Sequence, residues 1–147
     1  MTAVDTNVLL YAHRSESARH EKAVRWLSRL AECGEPWSIP VFCLGEFVRV
    51  ATHRRVFDPP STIAQALDAI DALLASPSLK LLAPSPSHWP LLRAAIMMGK
   101  AAGNLVFDAQ IAAICREHGV ARLLTEDRDF LRFPFISVVT LDDEPQA

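Results

Sequence analysis

Short apolar runs along this chain alternate with longer stretches in which apolar residues recur every three or four positions. That alternation predicts strands separated by helices. Ala3 and Val4 begin a first strand, which gives way at Asp5 to a short helix over residues 8–12. Ala23, Trp26, Leu27, Leu30 and Ala31 mark one face of a second helix, which Gly34 is placed to stop. Residues 37–39 form a second strand, and Pro40 can open a helix over 41–53 because the first helical position needs no amide hydrogen. Thr62 and Gln65 read as a capping box ahead of a helix whose buried stripe is Ile63, Ala66, Leu67, Ile70, Leu73 and Leu74. A third strand follows over 79–83, then a helix through Leu91, Leu92, Ala95, Ile96 and Met98 that Gly103 is expected to end. A helix over 104–118 closes at Gly119, a fourth strand spans 121–125, and 137–141 supplies a fifth.

Strands alternating with helices of ten or more residues predict an α/β fold, a largely parallel sheet flanked by helices in an α/β/α arrangement. The 147 residues fit one domain, with an acidic tail over 142–147 expected to be flexible. Ligands of such sheets bind beyond the carboxyl ends of the strands. Asp5 and Asp127 fall there.

Glu46 lies on a helical stripe with Phe42, Cys43 and Val50, so its acid is expected to point towards the core; Asp108 shares a face with Ile111, Ala112 and Cys115. Each acid has a structural alternative. Asp5 could cap the following helix, Glu46 and Asp108 could pair with a core arginine, and Asp127 and Asp129 could form turns. Their joint occurrence favours one shared site. Clustered carboxylates repel until a cation neutralises them, and an all-oxygen set without paired His or Cys suits magnesium or manganese better than zinc. A phosphodiester is the substrate for which such a site is suited, with one ion or two.

Composition narrows the field further. Half the residues are hydrophobic and 22% charged, which is ordinary for a globular protein. The formal charge of -2 becomes +3 once the five candidate carboxylates are set aside as neutralised, so charge permits RNA as a partner without indicating it. Cys33, Cys43 and Cys115 are odd in number and widely spaced, which fits reduced core thiols rather than disulfides or a zinc ribbon. No apolar run is long enough for a membrane span, and Asp5 and Asn7 interrupt any signal-peptide core, so a cytoplasmic location is expected.

Residues 5–11, Asp-Thr-Asn-Val-Leu-Leu-Tyr, resemble the opening motif of the PIN-domain nucleases. Glu46 sits in a helix as that family's second acid does. Residues 103–109, Gly-Asn-Leu-Val-Phe-Asp-Ala, are similar to the segment bearing the third acid in VapC-type toxins, and residues 124–130 are similar to the fourth motif. Phe107 departs from the proline often met there. The resemblance implies a PIN-like fold and metal-dependent endoribonuclease activity, with Asp5, Glu46, Asp108 and Asp127 as the metal-site acids and Asp129 as a fifth. It also implies that Thr6, Asn7, Asn104 and Thr125 orient the acids or a water, that Mg2+ is the cofactor with Mn2+ a substitute, and that a VapB-type antitoxin and a second copy of the chain are partners. Arg14, Arg49 and Arg128 are candidates for holding RNA phosphates. A PIN nuclease of RNA maturation and a non-catalytic PIN-like binding module are the alternatives. A phosphatase of the haloacid-dehalogenase type would want an acid where Asn7 stands.

Overall fold

The computed structural model describes residues 1–145. Five short strands, β1 (Thr2–Val4), β2 (Trp37–Pro40), β3 (Leu79–Leu82), β4 (Arg122–Leu124) and β5 (Ser137–Val139), form one sheet in the order β3-β2-β1-β4-β5. Every pairing is parallel, as the α/β pattern predicts. Six helices flank the sheet: α1 (Thr6–His13), α2 (His20–Glu32), α3 (Val41–Ala51), α4 (Ile63–Leu74), α5 (His88–Gly99) and α6 (Leu105–Glu117). β1 is central and buried along its whole length, which is why its residues read as a run rather than an alternation. Ala3 pairs with Ser38 on one side and Leu123 on the other. The carboxyl ends of β1, β2 and β4 are therefore neighbours.

Local sequence accounts for most of the helix ends. Thr62 and Gln65 form the capping box of α4. Pro40 is the last residue of β2 and the N-cap of α3, one position before the place the sequence suggests. α5 ends at Gly99, not at Gly103, because Lys100 adopts the left-handed conformation (φ 48°) and turns its amide back to Ile96 and Met97. Gly103, also at positive φ (59°), lies in the connection to α6. Gly99 itself is tightly packed: a Cβ there would lie 3.0 Å from Cδ1 of Phe133.

The core runs from Trp26 and Phe47 on one side of the sheet to Ile114, Phe130 and Phe133. Only part of the expected α4 stripe joins it. Ala66 and Ile70 are buried, whereas Ile63, Leu67 and Leu74 are 68%, 47% and 39% exposed. Cys43 and Cys115 are buried, Cys33 is half-buried, and all three are free. Among the described residues no helix is long and apolar enough to cross a membrane. Of the tail expected to be flexible, residues 146 and 147 lie outside the described residues. Asp142 is held by Arg19 and Lys22, and Asp143 accepts the amide of Thr140.

Candidate functional site

The site is built on the residue that follows β1. Asp5 is the N-cap of α1, and its Oδ1 accepts the Thr6 amide at 2.7 Å. Its Oδ2 accepts the Thr125 hydroxyl at 2.7 Å and Nδ2 of Asn7 at 3.1 Å. Thr125, fully buried just after β4, uses all its bonding capacity: besides donating to Asp5, its hydroxyl oxygen accepts from Asn7 (3.1 Å) and from the Asp127 amide (3.0 Å). Asn7 Oδ1 in turn accepts the Glu126 amide at 3.3 Å. The ends of two adjacent strands are thus locked together around one carboxylate. Burial nevertheless pushes the Asp5 carboxyl up to about 6, against the lowering effect of the Thr125 and Thr6 hydrogen bonds; Glu46 and Asp127 add to the rise.

Asp108 projects from the first turn of α6 and is half-buried. It has no hydrogen-bond or ion-pair partner among the described residues. Burial is the main reason its carboxyl rises to about 7, followed by repulsion from Asp127, Asp5, Asp129 and Glu46. Ligand oxygens of Asp108, Asp127 and Asp129 all lie within 4.8 Å of one another. Asp127 also caps the 3₁₀ turn Arg128–Arg132 by accepting the Asp129 amide at 2.9 Å. Capping and clustering are therefore compatible for Asp5 and Asp127 alike, while the paired-arginine alternative is absent: among the described residues neither Glu46 nor Asp108 has a cationic partner. Glu46 is half-buried, less enclosed than Cys43 and Phe47 on the same helix, and near enough to act on the buried Asp5.

The five acids thus meet beyond the carboxyl ends of the inner strands, but not equally. Asp108, Asp127 and Asp129 form the tight group, with Asp5 and Glu46 close enough to raise its pKa. Asp129, which sequence reasoning ranks last, is inside that group. Its Asp-X-Asp spacing reads as a turn because it is one, and the turn aims both carboxylates together. Thr6 is buried with its hydroxyl unpartnered among the described residues, and Asn104 is the exposed N-cap of α6, one turn before Asp108. Arg49 and Arg128 are exposed and unpaired among the described residues. Arg14 is fully engaged: it pairs with Glu16 at 2.6 Å, donates to Ser61 and to the Pro59 carbonyl, and stacks over Phe57. Sequence reasoning puts Cys43 on the stripe of Glu46 but only as a core thiol, without its approach to Asp5, whose Oδ1 lies 3.9 Å from the Cys43 Sγ. It also missed Arg19, which joins Glu126 to Asp142.

The profile of the PIN domain family matches residues 2–136. The chain belongs to that family. As a PIN domain it is similar to Ribonuclease VapC43 of Mycobacterium tuberculosis, 42% identical over 133 residues and 90% of each chain. It is 38% identical to Ribonuclease VapC31 of the same species over 90% of this chain and 93% of the relative. Two solved structures share its fold. VapBC2 of Rickettsia felis, bound to a DNA fragment from the promoter, superposes with a TM-score of 0.66 at 20% identity over 95% of this chain and 97% of that one. VapC20 of Mycobacterium tuberculosis, described as a Sarcin-Ricin loop cleaving toxin, does so with a TM-score of 0.61 at 19% identity, covering 89% and 93%. The curated relatives place this PIN domain among the VapC-type members.

The carboxylate group fits a divalent cation. Its donors are all oxygens, three of them lie within one ion's reach, and the carboxyls of Asp5 and Asp108, raised first by burial and then by the neighbouring acids, would be held ionised by a bound cation. Zinc, which prefers nitrogen and sulfur ligands in tetrahedral sites, suits this donor set less well.

Proposed function

We propose that this PIN domain is a magnesium-dependent endoribonuclease acting as the toxin of a type II toxin–antitoxin pair, with manganese as a substitute ion. The convergence of Asp108, Asp127 and Asp129 beside the buried Asp5 carries the reading. Asp108, Asp127 and Asp129 would hold the cation, with Asp5 and Glu46 acting directly or through water. Bound there, a divalent cation supplies Lewis-acid stabilisation of charge on a phosphoryl oxygen and acidifies water for attack.

The chain's own residues do the rest. Thr125, Asn7 and the Thr6 amide fix the Asp5 carboxylate before substrate arrives, so little reorganisation is left for the reaction. Asp108 gives up its proton as the site is neutralised. Arg49 and Arg128 are free to contact RNA, whereas Arg14 serves the loop around Ser61. The relatives' names supply RNA as the substrate class, and the VapBC neighbours supply a VapB-type antitoxin as the partner. Homodimerisation and a cytoplasmic location complete the proposal.

The test is cleavage of single-stranded RNA by purified protein with Mg2+ or Mn2+, compared with Asp5→Asn and Asp127→Asn. Both variants should lose at least about a hundredfold in rate while keeping the wild-type fold by circular dichroism. Undiminished cleavage by both would refute the assignment.

A further inference from the structure

Beside Asp127 a cavity of about 360 Å³ opens between the turn after β4 and the end of β5. Asp127 and Thr125 line it, and Asp127 also belongs to the acidic group, so the two adjoin. Its walls are unlike that group. Leu131, 62% exposed, and Val138 supply apolar surface, Thr140 lies at the end of β5, and Arg128 supplies a planar cation with no ion-pair partner among the described residues. The two other acids in the wall are already neutralised: Glu126 pairs with Arg19 at 2.7 Å, and Asp142 pairs with Arg19 and Lys22. A strand carrying phosphates therefore meets no unpaired acid there except Asp127.

We infer that this cavity is a subsite for one unpaired nucleobase adjoining the bond to be cut, with Leu131 and Val138 against the ring and Arg128 stacked on it. Its volume lies at the small end of the range for ligand sites, about 300 Å³ and upwards, which admits a single nucleotide and excludes a paired stem. Protein recognition of RNA sequence commonly uses such splayed-out bases, stacked on aromatic rings or on arginine planes. The inference rests on the ribonuclease reading above and adds to it that base identity at this position influences where RNA is cut.

The test uses methyl-labelled intact protein in EDTA, titrated with each of the four 5′-nucleoside monophosphates and separately with inorganic phosphate. Base-dependent shifts of the Leu131 and Val138 methyl signals, with affinity falling by about tenfold in Leu131→Ala, are expected. Absence of shifts at these methyls, or the same shifts from phosphate alone, would overturn the subsite. In parallel, cleavage ends on total RNA are mapped for wild type, Leu131→Ala and the cavity-filling Val138→Phe. Altered base preference beside the cut is expected, and unchanged preference in a folded Leu131→Ala protein would also overturn it. If wild type cuts no RNA with either ion while the methyls still report base binding, the ribonuclease reading fails and takes the subsite's role in cut-site choice with it, while base binding by the cavity stands.

Discussion

Replacing Asp108 by Asn removes a charge from the acidic group without breaking a hydrogen bond, since this carboxylate has none among the described residues. Its carboxyl sits at about 7 rather than near its ordinary value of 3.8, so ionising it in the folded protein opposes folding. About three units, at about 1.4 kcal/mol each, give about 4 kcal/mol for a fully buried group. Asp108 is only half-buried, and solvent screening reduces this to about 2 kcal/mol. Loss of its favourable place at the N-terminus of α6 takes back about 0.5 kcal/mol. A net gain of about 1.5 kcal/mol corresponds to a rise of about 3–6 °C in Tm for a chain of this size. Because the folded pKa is raised, the wild-type carboxyl does not oppose folding below about pH 4. The penalty grows as pH climbs from about 4 to 7 and levels off above that. Thermal melts in EDTA should therefore show Asp108→Asn more stable than wild type at pH 8 and equal to it, apart from the small helix-end term, at pH 4. Magnesium at ten times its Kd then stabilises wild type by about 1.4 kcal/mol and the variant by much less, closing most of the gap. A variant no more stable than wild type at pH 8 without metal, or a gap that ignores pH, would refute the electrostatic account of the site.

Three further outcomes follow from the same geometry. Thr125→Val strips Asp5 of a buried donor and leaves the Asp127 amide without its acceptor, so unfolding stability should fall by about 1–3 kcal/mol in urea titrations and RNA cleavage should fall with it. Gly99→Ala forces a methyl group against the Phe133 ring and should cost about 1–3 kcal/mol by the same assay, while the conservative surface change Lys100→Arg should cost almost nothing. At limiting magnesium, cleavage should rise between about pH 6 and 8 as the Asp5 and Asp108 carboxyls at about 6 and 7 lose their protons. Excess metal should move that rise to lower pH, because cation and proton compete for the same oxygens.

Much of this site is visible in the sequence because its physics is local. An apolar strand that stops at a carboxylate advertises Asp5, and acids on otherwise apolar helical faces advertise Glu46 and Asp108. Thr125 and Asn7 are legible as supports only through their proximity to those acids, since their bonds span more than a hundred residues. Asp129 is undervalued because turn formation and cation binding call for the same residue spacing. Helix ends fail where two signals compete: Gly103 looks like the stop of α5, but Lys100 takes the left-handed turn first. The stripe on α4 is wider than the face that α3 covers, which leaves Ile63, Leu67 and Leu74 outside the core. Strand order is set by packing between distant segments, and no local pattern encodes it.

The most direct test is an anomalous difference map from crystals of this protein soaked in manganese. The account predicts a peak among the carboxylate oxygens of Asp108, Asp127 and Asp129, next to Asp5, that disappears in Asp108→Asn. Manganese density elsewhere with none at this group, at concentrations that support RNA cleavage, would contradict it.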